Sequence, residues 1–302
     1  MSFGARALIR LGALEHNLDV IRAAAPGSKI MAVIKANAYG HGMVTVARQL
    51  NGADAFAVAR VPEGIELREC GTEARIILLA GFMDSSELAS AIEYGFEPVV
   101  HCPEQVELLK ASTSGRLNIW VKFDTGMNRL GFAPEEAQSI LGRLAASGAV
   151  DELRLMTHLS SAEELQSATT EKQLHRFRAL IDDFDGDISI GNTPATFGWP
   201  AVADAQREFG FTGDNWIRPG LALYGISPFA DECGADLGLK PVMQFEARLI
   251  SVKRLHAGCR VGYKGSYVSD TNTGIISAGY GDGYTRHFRT GTPILINGRR
   301  VP

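Results

Sequence analysis

The sequence predicts an α/β protein in which a (β/α)8 TIM-type barrel is followed by a second, mostly β domain. Over the first three quarters of the 302 residues, short apolar runs alternate with longer segments of helical period, as in βα units around a parallel sheet. Eight such runs can be counted, and that number favours a closed barrel over an open sheet. From about residue 238 onward, strand patterns follow one another without helical segments between them.

Each of the eight predicted strands is a short apolar run bounded by turn or polar residues. They are KIMAVIK (29–35), AFAVAR (55–60), RIILLAG (75–81), EPVVH (97–101), LNIWVKFD (117–124), LRLMTHL (153–159), DISIGN (187–192) and WIRPGLALYG (216–225). The intervening segments include VTVARQL, ELASAIEYG, PEQVELLKAS, PEEAQSILGRLAASG and TTEKQLHRFRALIDDF, which are amphipathic. They are long enough to cross back over a parallel sheet. A further amphipathic segment, LEHNLDVIRAAA, precedes the first strand.

The last quarter of the chain reads as strands joined by glycine-rich turns. Its strand patterns are KPVMQFEARLISVKRL, RVGYKGSYV, GIISAGYGDGY and TPILINGRRVP. We therefore expect a barrel at residues 6–230. We expect a β-rich domain made of residues 231–302 together with the first few residues of the chain. Because the sequence stops at the turn-like INGRRVP, we expect this second domain to be truncated.

Composition excludes several classes of partner. The formal net charge is −4 and the basic residues are dispersed, so we expect binding neither to nucleic acid nor to an anionic membrane surface. No apolar run approaches the roughly 18 residues of a membrane span, and the first residues lack the apolar core of a signal peptide. The four cysteines lack metal-ligand spacing, so no metal site is predicted. We expect a cytoplasmic protein with reduced thiols.

Polar side chains fall where the predicted strands end. They are Lys35 at the first strand, Lys122 and Asp124 at the fifth, His158 at the sixth, Asn192 and Thr193 after the seventh, and Arg218 within the eighth. Taken alone, Lys35 is a strand-end lysine that reaches solvent, or an amine nucleophile whose pKa is lowered by burial. Five strand ends with polar groups favour the second reading, because active sites of such barrels lie at the C-terminal ends of the strands.

These groups suit an anionic ligand. Amine, imidazole and guanidinium groups gather there with few carboxylates, and RPGLALYG and GNTPAT add backbone N–H groups and a hydroxyl. The loops after the seventh and eighth strands are where barrels often bind phosphate. No pair of His, Asp or Glu has metal-ligand spacing, and no nucleophile-elbow motif is present.

Six segments, in order along nearly the whole chain, resemble those of the alanine racemases, which are pyridoxal-phosphate enzymes built from a (β/α)8 barrel and a β domain. The segments are VIKANAYGHG, VKFDTGMNRLGF, MTHLSSAEE, IRPGLALYGISP, GLKPVMQFEARLI and SAGYGDGYTR. The resemblance implies an isomerase that interconverts L-alanine and D-alanine by two-base α-proton exchange on a pyridoxal 5′-phosphate aldimine. It also implies a role in D-alanine supply for peptidoglycan and a homodimer with shared active sites.

The resemblance carries roles onto individual residues. Lys35 matches the lysine that forms the internal aldimine and acts as one base, and Tyr280 matches the second base, which comes from the partner subunit. Arg218 matches the arginine that faces the pyridine nitrogen, and His158 the imidazole that packs beside the cofactor. Arg129 matches the arginine near the cofactor's phenolic oxygen that steadies Tyr280, and Lys122 matches a lysine that is often carbamylated. The matches in the phosphate region are Tyr39, Asn192, Thr193, Gly220 and Tyr224.

Several points depart from the family pattern or stay open. Thr193 replaces the usual serine, LSSAEE replaces FASAD, and Thr285 stands where proline is common. The residues that line a substrate pocket cannot be read from the motifs, so a racemase of serine, lysine or a wider range of amino acids remains an alternative. A non-catalytic pyridoxal-phosphate-binding barrel and an inactive fragment are the others.

A guanidinium at position 218 cannot accept a proton, which predicts an unprotonated ring nitrogen and a short-lived carbanion.

Overall fold

The computed structural model describes residues 4–182, 184–265, 267–269, 272–285, 287–289 and 291–301. The chain divides into a larger unit, residues 10–242, and a smaller unit formed by the residues before and after it. The boundary expected at residue 230 therefore falls inside the larger unit. Residues after 230 belong to the larger unit partly because they bind helix Leu11–Ala24. The Asn17 side chain on this helix accepts from the Lys240 N–H at 2.7 Å and donates to the Lys240 carbonyl at 2.8 Å.

The larger unit is a closed barrel of eight parallel strands, as predicted. The first strand of the chain, β1 (Arg6–Ile9), belongs to the smaller unit. The barrel strands are β2 (Ser28–Val33), β3 (Ala55–Val58), β4 (Arg75–Leu78), β5 (Glu97–Val100), β6 (Leu117–Lys122), β7 (Val150–Met156), β8 (Ile188–Asn192) and β9 (Asn215–Arg218). They pair in chain order, and β9 closes the barrel on β2 with Ser28 opposite Asn215.

Helical segments precede the barrel and connect its strands. They are α1 (Leu11–Ala24), α2 (Lys35–Gly40, a left-handed turn at its inner residues), α3 (Met43–Gln49), α4 (Val61–Glu69), α5 (Ser85–Glu93), α6 (Pro103–Ala111), α7 (Ala137–Ala145), α8 (Ala168–Ile181), α9 (Thr193–Gly198), α10 (Pro200–Ala203) and α11 (Ala205–Phe209). Local sequence sets several of their starts. Asp84, for example, caps α5 by accepting from the N–H groups of Ser86 and Glu87, both at 2.9 Å.

The middle of the barrel is apolar because most of the alternate strand residues that point inward there are apolar. The buried cluster that fills it consists of Met31, Val33, Ala55, Ala57, Ile77, Val99, Trp120, Met156 and Trp216. The two indole rings meet edge to face with centroids 6.1 Å apart. This packing makes the strands a rigid support for the loops at their ends.

Ion pairs lie near the N-terminal ends of the strands. Arg154 and Glu97 are both buried and pair at 2.8 Å, and Glu97 also accepts from Arg75 at 2.7 Å. Asp187 lies 3.3 Å from the Arg154 guanidinium. The cations at this end are therefore paired with carboxylates, as buried charges require.

Seven of the eight predicted strands end earlier than expected, all but DISIGN, and two of these endings shape the candidate site. β2 stops at Val33, before Lys35, because the chain turns into a left-handed conformation there. β9 stops at Arg218, because Pro219 has no N–H to continue the ladder, and Leu221–Tyr224 form a 3-10 turn. Both endings place polar residues at the C-terminal ends of the strands.

The smaller unit is built from paired antiparallel strands, as the glycine-rich turn pattern predicted. The strands after the barrel are β10 (Met243–Glu246), β11 (Leu249–Arg254), β12 (Cys259–Val261), β13 (Tyr267–Ser269), β14 (Asn272–Ile276), β15 (Ile294–Ile296) and β16 (Arg299–Val301). The pairs are β1 with β10, β11 with β14, β12 with β13, and β15 with β16. In the part of the chain that is described, no helix has the length and apolar character needed to cross a bilayer.

Candidate active site

A cavity of about 350 Å³ lies at the C-terminal ends of the barrel strands. Its volume falls in the range of roughly 300–1,000 Å³ that is usual for ligand pockets. Nine of the residues singled out from the sequence line it, namely Lys35, Tyr39, Lys122, Arg129, His158, Asn192, Thr193, Arg218 and Gly220. The structure thus brings residues that are far apart along the chain into one site.

Lys35 is followed by a left-handed turn. Ala36, Asn37, Ala38 and Tyr39 have φ angles between +52° and +54°, a region that costs non-glycine residues roughly 1–2 kcal/mol each. Local bonds hold the turn, since Ala38 N–H donates to the Ile34 carbonyl at 2.8 Å. The Asn37 side chain accepts from the N–H at the start of α3 at 2.8 Å. The turn is therefore strained and depends on its contacts.

The environment of Lys35 favours a neutral amine more than solvent does. Partial burial lowers its pKa, the nearby Arg129 guanidinium lowers it further, and the Glu63 carboxylate raises it. Burial has the largest effect because it penalises the charged form. A larger fraction of Lys35 is therefore neutral, and nucleophilic, than of an exposed lysine at the same pH.

Lys122 is the second lysine of the cavity and is only 7% exposed. Burial lowers its pKa to about 8, and the positive charges of Arg218 and Arg129 contribute. Asp124, two residues later, does not line the cavity. Its carboxylate instead accepts from the N–H groups of Gly126 and Met127, both at 2.9 Å, and so shapes the loop that carries Arg129.

Arg218 is buried at the end of β9 and fixed by several acceptors. Its guanidinium donates to the Thr157 carbonyl at 2.6 Å, to the Ser189 hydroxyl, and to His158 Nδ1 at 3.2 Å. Burial lowers its pKa to about 9, which still leaves the group charged at neutral pH. This network holds a fixed positive charge at the side of the cavity.

His158 is neutral in this setting. Burial lowers its pKa to about 2, and the charges of Arg218 and Lys122 act in the same direction. Because a guanidinium can only donate, Nδ1 of His158 must accept from Arg218. The ring proton therefore lies on Nε2.

Hydroxyl and backbone groups meet at another part of the cavity. Thr193 Oγ1 accepts from the Gly220 N–H at 3.0 Å, so threonine supplies here the same oxygen as serine would. Asn192 caps α9 by accepting from the Ala195 N–H at 3.1 Å. A Cβ on Gly220 would lie 2.8 Å from the Tyr39 hydroxyl, so any other residue here would displace that hydroxyl.

Two tyrosines named from the sequence lie elsewhere. Tyr224 does not line the cavity; its hydroxyl donates to the Val33 carbonyl at 3.2 Å, and its ring stacks on His41 with centroids 4.4 Å apart. It contacts the turn that carries Tyr39, with the two tyrosine ring centroids 5.0 Å apart. Tyr280 belongs to the smaller unit, where it begins the 3-10 turn Tyr280–Asp282 and is 77% exposed.

Sequence reasoning missed the residues that support the site. Gln173 donates to the His158 carbonyl at 3.1 Å and accepts from the Ser160 N–H at 2.9 Å. Glu63 accepts from the Ala36 N–H at 2.7 Å. Glu63 follows Pro62 in the first turn of α4, and this pattern of proline and an acidic residue at a helix start could have drawn attention to it. No local pattern distinguishes Gln173 from any other buried helical residue.

The residues present fit pyridoxal phosphate. Among the described residues that line the cavity, Lys35, Lys122, Arg129 and Arg218 are cationic side chains and none is a carboxylate. The hydroxyls of Tyr39 and Thr193 add neutral donors suited to phosphate. An anionic aldehyde would find an amine of lowered pKa to react with and a surplus of positive charge.

Comparison with known proteins identifies two family models along the chain. The model described as alanine racemase, N-terminal domain, matches residues 9–228. The model described as alanine racemase, C-terminal domain, matches residues 242–302. Together they account for most of the sequence, in the order in which the two units follow one another.

Individual relatives give the same result. An alanine racemase of Vibrio parahaemolyticus is 42% identical over 302 residues, which cover 99% of this chain and 82% of that protein. The structure of the biosynthetic alanine racemase from Pseudomonas aeruginosa matches with a TM-score of 0.91 and 39% identity, covering 99% of this chain and 82% of that one. For the alanine racemase from Acinetobacter baumannii, the TM-score is 0.88 and the identity 36%, with the same coverage. This chain belongs to the alanine racemase family.

Proposed function

We propose that this chain is an isomerase that interconverts L-alanine and D-alanine with pyridoxal 5′-phosphate as its cofactor. The observation that carries the proposal is the cavity at the strand ends, where an amine of lowered pKa lies among cationic and hydroxyl groups. Membership of the family supports alanine as the substrate, and the groups that line the cavity support pyridoxal phosphate as the cofactor. Supply of D-alanine for peptidoglycan, in the cytoplasm, is the cellular role that we propose.

The cavity residues divide the binding of the cofactor among them. Pyridoxal phosphate, when bound, supplies a ring that stabilises negative charge at the α-carbon of the amino acid. We assign its aldehyde to Lys35 and its ring nitrogen to Arg218. Its phosphate is assigned to Tyr39, Asn192, Thr193 and Gly220. Because a charged guanidinium only donates hydrogen bonds, Arg218 would hold the ring nitrogen in its unprotonated, accepting form.

Proton movement needs one base on each face of the substrate. We assign the Lys35 amine to one face and the Tyr280 hydroxyl to the other. Arg129 lowers the pKa of Lys35. We assign to its positive charge the stabilisation of the cofactor's phenolic oxygen. We assign to Lys122, in a carbamylated and therefore anionic form, the support of Arg129, because a protonated lysine would repel that guanidinium.

We propose that Tyr280 of a second copy of the chain completes each site, so that the enzyme works as a homodimer. Two facts support this. The described lining of the cavity comes from the larger unit, and Tyr280 lies in the smaller unit with most of its surface exposed. A two-fold symmetric dimer would repeat any such contact and so form two equivalent sites.

A direct assay tests the proposed reaction. The purified chain with pyridoxal phosphate is incubated in D2O with L-alanine, L-serine or L-lysine, and chiral chromatography with mass spectrometry follows the products. We expect D-alanine that carries deuterium at the α-carbon, formed faster than D-serine or D-lysine. Faster conversion of serine or lysine would assign a different substrate. Cofactor binding without any α-deuterium would identify a binding protein and overturn the proposal.

A further inference from the structure

The carboxylate of Glu63 joins two loops at the edge of the cavity. One oxygen accepts from the N–H of Ala36 at 2.7 Å, directly after Lys35. The other accepts from the N–H of Ala59 at 2.6 Å and from that of Arg60 at 3.3 Å. Glu63 lies on α4, whereas Ala36 begins the left-handed turn that follows β2. Both oxygens are thus used, on two different elements.

The contact to Ala36 is not needed for capping α4. At the start of α4, Glu63 makes the glutamate half of a capping box by accepting from the N–H of the N-cap residue Arg60, whose side chain has no acceptor for the other half. The additional bond reaches 27 residues back along the chain, to a residue whose φ of +52° is unfavourable for alanine. A charge-assisted bond at the first strained residue therefore opposes relaxation of the turn.

We propose that Glu63 is a positioning residue for Lys35: it anchors the left-handed turn and thereby fixes the direction in which the lysine side chain enters the cavity. This inference rests on the proposed function of Lys35 as the residue that binds the cofactor and moves the α-proton. Glu63 itself touches neither the cavity nor the reacting atoms, since it is not among the residues that line the cavity.

Glu63 acts on Lys35 through its charge as well as through the position of the turn. The charged groups that act on Lys35 are Arg129, which lowers its pKa, and Glu63, which raises it. Lys122 and His158 are the other titratable groups coupled to Lys35 in the cavity. Loss of the carboxylate charge would remove the raising effect, so the pKa of Lys35 would fall and the neutral amine would persist to lower pH.

The test compares Glu63→Gln with Glu87→Gln in the full chain. Glu87 is a matched control, because its carboxylate accepts from the Met83 N–H at 2.7 Å at the start of α5 and does not line the cavity. After removal of the cofactor, acylation of Lys35 by acetic anhydride is followed against pH by mass spectrometry. The affinity for pyridoxal phosphate and the kcat for alanine are measured on the same preparations.

We expect the acylation midpoint of E63Q to move to lower pH by about half a unit or more. The kcat and the affinity for the cofactor should each fall by about tenfold or more, with a smaller change in KM. E87Q should keep the wild-type midpoint and kcat. Glu63→Asp keeps the charge but shortens the reach by one methylene, so its midpoint should stay near wild type while kcat falls.

Two results would overturn the proposal. One is a wild-type midpoint and kcat in E63Q. The other is a loss of thermal stability in E63Q and E63D while the acylation midpoint of Lys35 stays at the wild-type value, or failure of both variants to fold. Glu63 would then serve the fold alone. Lys35→Ala is assayed in parallel. If that variant racemises alanine at the wild-type rate, the proposed function fails, whatever Glu63 does.

Discussion

Replacing Lys35 with alanine is expected to reduce racemisation of alanine by at least about a thousandfold in both directions, because it removes the group to which we assign both the covalent anchoring of the cofactor and one of the two bases. Part of the residual rate would come from the remaining cavity, whose cations and hydroxyls can still bind the cofactor. The measurement is the initial rate of D-alanine formation from L-alanine, and of the reverse reaction, at saturating pyridoxal phosphate.

Lys110→Ala provides the control for the loss of a lysine. Lys110 lies on α6, does not line the cavity, and pairs with Glu107 at 3.3 Å on the surface, a contact of little energetic weight. We expect its rate to match wild type. A K35A enzyme that retains more than about a tenth of wild-type activity would be incompatible with general acid–base catalysis by this amine.

Replacing Tyr280 with phenylalanine is expected to reduce racemisation by about a hundredfold or more, because it removes the hydroxyl to which we assign proton transfer on one face of the substrate. Its effect should differ in kind from that of K35A. With one base left, Lys35 can still remove and return a proton on its own face, so one enantiomer should exchange its α-hydrogen with D2O without inversion. The other enantiomer should exchange slowly.

The exchange measurement distinguishes the two-base assignment from a single base. Deuterium incorporation into L-alanine and into D-alanine is measured separately by NMR for wild type, Y280F and Tyr94→Phe. Tyr94 lies at the end of α5, does not line the cavity and stacks on Phe96 with centroids 5.7 Å apart, so it controls for the loss of a hydroxyl. Equal loss of exchange from both enantiomers in Y280F would contradict the assignment.

The barrel could be predicted because its strands are buried on both faces and therefore read as apolar runs. The run from Ile30 to Ile34, for example, is fully or nearly fully buried, as its composition indicates. The polar residues at the strand ends could be predicted to converge for a geometric reason, since parallel strands of a barrel end at one rim. Lys122, Asn192 and Arg218 each occupy the last position of their strand.

The conformation after Lys35 could not be predicted, because KANAYG contains no glycine at the four strained positions. Ala36 and Ala38 have no intrinsic preference for positive φ, so the turn depends on tertiary contacts such as that of Glu63. Those contacts join segments whose spacing in sequence carries no periodic signal. The segment GYGDGY likewise carries no local signal for the site to which its first tyrosine contributes, because that also depends on contacts between distant segments.

Mixing subunits tests most directly the central claim that Lys35 and Tyr280 form one active site across two chains. K35A and Y280F, each nearly inactive, are mixed in equal amounts, dissociated and reassociated, and racemisation of L-alanine is compared with that of wild type treated identically. Random pairing gives half heterodimers with one intact site each, so about a quarter of wild-type activity should return. A mixture no more active than the sum of the separate variants would contradict a shared site.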